Sequence, residues 1–170
     1  RGADGSVSIN VSGMPNVGRA GAPRLLKTLR QTLQQFDLDV TISPGQDDLG
    51  EDAKLACGES AYVVQVVTTP AEKSLWRNVA GGVERRTTAE GATRWLDEVI
   101  RTKAKRIPDS ERAHTLLAID ARHVGVLSED ALMHGYIERH GQPTAVHGFA
   151  SVWIVGPTVR HCKRLGCGSP

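Results

Sequence analysis

No apolar run in this chain approaches the roughly 20 residues a membrane-spanning helix needs. The amino-terminal stretch Arg1-Gly-Ala-Asp-Gly-Ser6 also lacks the apolar centre of a secretion signal, so the expected location is cytoplasmic and no membrane partner is expected. The missing initiator Met points to a processed chain or a fragment of a longer one. Cysteine is scarce and odd in number, at Cys57, Cys162 and Cys167, which argues against a disulfide framework. His161-Cys162 with Cys167 offers three zinc ligands, but structural zinc sites usually pair their cysteines at closer spacing. The six histidines contain no HExxH pattern, and Gly18, Gly21, Gly81 and Gly82 build neither a dinucleotide fingerprint nor a phosphate loop. A Gly-x-Ser-x-Gly elbow is absent as well, which leaves serine hydrolysis without support.

What is present is enough for one core. The 170 residues are 39% hydrophobic and 24% charged, in the range of a single globular domain, and no internal repeat is apparent. The net charge of +2 hides a segregation. Residues 1–36 hold five bases against one acid, residues 37–60 seven acids against one base, and the remainder fifteen bases against eleven acids. An acidic segment between basic flanks suits a cation site beside a polyanion-binding surface, and equally a plain acidic loop. Arg outnumbers Lys fifteen to six, which favours bidentate phosphate contacts.

Residues 1–22 read as an extended arm in which Ser6–Ser12 alternates like an edge strand. Residues 23–157 read as one α/β domain and residues 158–170 as a basic tail. Pro23 opens a helix whose stripe is Leu25, Leu26, Leu29, Leu33 and Phe36 and whose outer face carries Arg24, Lys27 and Arg30. Strands follow at 38–43, 52–57 and 62–68, the last two joined by Gly58-Glu59. Residues 70–86 read as irregular or weakly helical. Thr87 and Glu90 then make a Thr-x-x-Glu capping pattern before a helix with Trp95, Leu96, Val99 and Ile100, which Pro108 ends. Its basic end, Arg101, Lys103, Lys105 and Arg106, is accounted for by the helix dipole. A buried strand 115–120, a short helix after Ser128 and a last strand 149–155 complete the series. Strands as apolar as these need covering on both faces, so the expected fold is a mixed central sheet flanked by helices.

That order, with Gln65 set into Tyr62–Thr68 and with Gly148–Gly156 as a closing strand, resembles the PD-(D/E)XK, or restriction-endonuclease-like, superfamily and its αβββαβ core. The closing segment is similar to that of bacterial members. The resemblance implies a magnesium-dependent nuclease site with an acid at the start of the second core strand, a Glu or Gln in the third and a Lys two residues later. Asp52 and Gln65 match the first two positions as metal ligands. Val67 stands where the Lys belongs, and only Lys54 or Lys73 is placed to substitute for it. The expected function is therefore a nucleic-acid-binding or assembly module with an incomplete metal site, needing Mg²⁺ only if active. Arg24, Lys27, Arg30, Arg160, Lys163 and Arg164 are the expected phosphate contacts. The alternatives are a nuclease using a displaced lysine and a Rossmann-like module that binds only protein. Asp120 and His123, at the end of a buried strand, form a second candidate site for acid–base chemistry.

Overall fold

The computed structural model describes residues 6–9, 22–35, 39–46, 51–68, 85–121 and 129–166. Its main sheet has six strands in the order β2-β3-β4-β6-β7-β8. Strands β2 (Val40–Pro44), β3 (Ala53–Cys57) and β4 (Ser60–Thr68) form an antiparallel meander. The register Cys57↔Ser60 leaves Gly58 and Glu59 as a two-residue turn, and Gly58 has a φ of 57°, which such turns demand and glycine adopts without strain. β6 (Thr115–Asp120) joins β4 in parallel and β7 (Ser151–Val155) joins β6 in parallel. The sheet is thus mixed, with β4 interior and antiparallel to β3.

Helix α1 (Ala22–Gln34) covers one face and buries Leu25, Leu29 and Leu33 on Val40, Leu55, Val64 and Leu116. Helices α2 (Ala89–Arg106) and α4 (Glu129–His140) cover the other, where Leu96, Ile100, Leu132 and Tyr136 meet Leu117, Ile119, Val152 and Ile154. Alternation along the strands produces both faces: Tyr62, Val64 and Val66 pack toward α1 and Val67 toward α2. Two short helices, α3 (Asp109–Arg112) and α5 (Pro143–His147), lie in the connections to β6 and β7.

Three boundaries depart from the sequence expectations. The side chain of Thr88, not Thr87, accepts the Gly91 N–H at 3.1 Å and caps α2, because the helix begins at Ala89, directly after the last residue of strand β5 (Arg85–Thr88). Residues 85–86, expected to be irregular, pair within β5 antiparallel to β1 (Ser6–Ile9), so this part of the arm is a strand held by backbone hydrogen bonds. Finally, the segment expected as a tail folds onto the domain. Residues Val159–His161 form a 3₁₀ turn, and β8 (Cys162–Arg164) adds antiparallel to β7. Leu165 and Cys162 are apolar anchors of that segment, one in each half of the core.

Candidate functional site

The candidate ligands meet at the open end of the β3–β4 hairpin. Asp52 immediately precedes β3, whose first residue Ala53 pairs with Val64, so Asp52 stands beside Gln65. Two bonds fix it: its N–H donates to the Val64 carbonyl at 3.3 Å, and its Oδ2 accepts the Val66 N–H at 2.7 Å. The approach to Asp52 is tight, because Gly45 lies against the backbone of Glu51 and Ala53 with no room for a Cβ. Glu51 closes the connection from β2, accepting the Gln46 N–H on its side chain at 3.2 Å.

Gln65 is buried, with 8% of its surface exposed, and alternation sends it to the α2 face of the sheet. There the Lys103 ammonium donates to its Oε1 at 2.9 Å. Lys103 lies in the last turn of α2, three residues beyond Ile100 and seven beyond Leu96, so it continues the buried stripe of the helix. Arg112 secures that turn by donating to the carbonyls of Ala104 and Ile107. Burial depresses the pKa of Lys103 below the ordinary lysine value, the Asp52 carboxylate pulls it back up, and Arg106 lowers it further. The result is a half-buried ammonium hydrogen-bonded to an amide oxygen and within the field of a carboxylate.

Lys103 is the residue that sequence reasoning missed, since the helix dipole had already accounted for its charge. The signal in the sequence was a cation on the apolar stripe of a helix. The two lysines proposed in its place fare differently. Lys54 is paired with Glu51 at 3.3 Å and is half exposed, whereas Lys73 lies outside the described residues. One carboxylate and one amide oxygen already bonded to an ammonium are a poor donor set for Mg²⁺, which wants several free oxygens. No group of three or more His, Cys, Asp or Glu side chains able to hold a metal occurs among the described residues.

The second candidate site does not join the first. Asp120 is buried and shares its strand face with Leu116 and Ala118, toward α1, opposite Gln65; His123 lies outside the described residues. The zinc reading fails at Cys162, which is buried beneath α1 with its thiol pushed up to about 11 by desolvation, partly offset by a hydrogen bond with Thr32. Cys167 lies outside the described residues.

The predicted phosphate contacts divide between the two faces. Arg24, Lys27 and Arg30 are exposed on α1, and α1 packs against the 3₁₀ turn that carries exposed Arg160. These four side chains make no ion pair among the described residues, and they stand on two sequence-distant segments that pack against each other. Arg164 lies on the α1 face beside Trp153. Lys163 stands apart from all of these. It points to the α4 face, 4.0 Å from Asp130.

Lys103 permits a test by pH. Its depressed folded-state pKa means the unfolded chain binds more protons as pH approaches the ordinary value of 10.5, so this group makes stability rise with pH in that window. Below the window both states are protonated and the burial cost is fully present. Cys162, raised from 9.0 to about 11, acts oppositely, its contribution fading as pH climbs between those values. The difference between wild type and Lys103→Met isolates the lysine: denaturation midpoints from pH 7 to about 10 should rise less, or fall more, in the variant.

Together these features define a mixed α/β domain, covered on both faces, with a lysine–amide–carboxylate cluster at a hairpin mouth. No family model, no curated protein and no solved structure matches the chain.

Proposed function

We propose that this domain binds nucleic acid without cleaving it, as a restriction-endonuclease-like module in which a lysine side chain has taken the place of the metal. The observation that carries the binding reading is that Arg24, Lys27, Arg30 and Arg160 are exposed on two packed elements, none of them engaged in an ion pair among the described residues. Uncommitted guanidinium and ammonium groups on adjoining elements suit phosphate oxygens, and phosphate contacts dominate affinity in sequence-tolerant binding. The element order α1-β2-β3-β4-α2-β6, with β5 inserted before α2 and the short α3 before β6, is consistent with the superfamily core. The lack of hydrolysis is supported by Lys103, whose ammonium already donates to the Gln65 Oε1 and lies within the field of Asp52.

A second reading rests on the same lysine. In a metal-dependent nuclease, Lys103 rather than Lys54 or Lys73 would be the displaced lysine, and its lowered pKa would suit a role in proton handling. Incubation of plasmid and single-stranded DNA and RNA with Mg²⁺ or Mn²⁺ separates the two. The expected result is no cleavage above background. Cutting that is abolished by both Asp52→Ala and Lys103→Ala would overturn the non-hydrolytic reading and establish the nuclease.

A further inference from the structure

Away from the lysine cluster, on the α1 face, the helix leaves part of the sheet uncovered. α1 ends at Gln34, and beyond Leu33 a cavity of about 210 Å³ opens over the starts of β4, β6 and β7. Leu33, Val40, Leu55 and Leu116 form its hydrocarbon walls, and Tyr62 and Trp153 add two aromatic side chains. Among the described lining residues polar groups are few: the Tyr62 hydroxyl, the Ser151 hydroxyl, which is engaged by the Trp153 indole N–H at 3.2 Å, and the exposed Arg164 as the single charged side chain. The Arg164 guanidinium makes no hydrogen bond or ion pair among the described residues, unlike Lys163 beside it.

We propose that this cavity is a binding site for a small amphipathic carboxylate, with an aryl or branched hydrocarbon body inside and its carboxylate on Arg164. The size fits: a dry apolar cavity of about 150 Å³ accepts benzene, so this one accepts a ring bearing a short side chain. The polarity fits as well. An apolar body loses no hydrogen bonds against leucine and aromatic walls, whereas a nucleobase would leave most of its polar edge unpaired there. Charge selects the head group, since a guanidinium binds a carboxylate through two parallel N–H donors and repels an ammonium. The site faces away from Gln65 and Lys103 and does not depend on nucleic-acid binding.

Isothermal titration calorimetry with phenylacetate, 2-phenylethanol and 2-phenylethylamine on the full chain tests this, because the three share one body and differ in head group. Phenylacetate should bind about tenfold or more tighter than the alcohol, as a charge-assisted bond predicts, and the amine weakest. Arg164→Gln should erase the preference for phenylacetate while the alcohol still binds. Cys57→Leu, which narrows the cavity from the end of β3, should weaken all three, with circular dichroism verifying the fold. Equal binding of acid and amine, a preference unchanged in Arg164→Gln, or no saturable binding of phenylacetate would each overturn the proposal.

Discussion

Leu117→Ala is expected to lower the unfolding free energy by about 2–5 kcal/mol, read as a shift in urea midpoint at constant slope. Leu117 has no exposed surface, lies between Gln65 of β4 and Val152 of β7, and packs in the half of the core under α2 and α4. Removing three carbons there leaves a void walled by interior strands with limited freedom to collapse, which places the loss toward the upper part of that range. Two comparisons sharpen the test. Val146→Ala, at a position 56% exposed, should change stability by under about 0.5 kcal/mol. Tyr136→Phe should be neutral or stabilising, because the Tyr136 hydroxyl is buried without a hydrogen-bond partner among the described residues and its removal abolishes a desolvation cost. Loss of stability in Tyr136→Phe comparable to that in Leu117→Ala would refute this account of the α4 core.

The combined variant Arg24→Ala, Lys27→Ala, Arg30→Ala should bind single- and double-stranded nucleic acid about tenfold or more weakly at roughly 50 mM salt, and its dependence on salt should flatten. On duplex DNA, every phosphate that is no longer neutralised takes about 0.9 off the slope of log affinity against log salt, so the three substitutions together should flatten it by up to about 2.7. Fluorescence anisotropy over a salt series measures both quantities. Lys163→Ala is the control, since that side chain lies on the opposite face near Asp130 and should leave the slope unchanged. An unchanged slope in the triple variant would remove α1 from the interface. Absence of binding by the wild type at low salt would favour the protein-interaction module.

The main elements were legible where periodicity and burial agree. The stripe Leu25, Leu29, Leu33 and the β-branched run through Val67 each have one way to be covered, and their pairing follows from the hairpin turn at Gly58. Short, weakly apolar segments were not legible. Arg85–Thr88 and Cys162–Arg164 are strands because a neighbouring strand offers backbone partners, and no side-chain pattern records that. The candidate site divided along the same line. Asp52 and Gln65 lie close through a local hairpin, so their proximity could be inferred. Lys103 comes from 38 residues beyond Gln65, brought in by the packing of α2 on the sheet, and the dipole explanation of its charge concealed a second use. The expected phosphate set is split at Lys163 for a related reason: β8 has two faces, and alternation sends neighbours apart.

The sheet order also bears on lateral association between copies of this chain. Its greasiest strands, β4, β6 and β7, each have a neighbour on both sides, and the outer positions fall to β2 and β8. β8 is three residues long and carries Lys163 and Arg164, while β2 ends in Pro44, which has no N–H to offer a passing strand. Short, charged or proline-ended rims are poor templates for lateral growth, so the segments most prone to cross-β stacking are insulated from other molecules by the folded sheet itself.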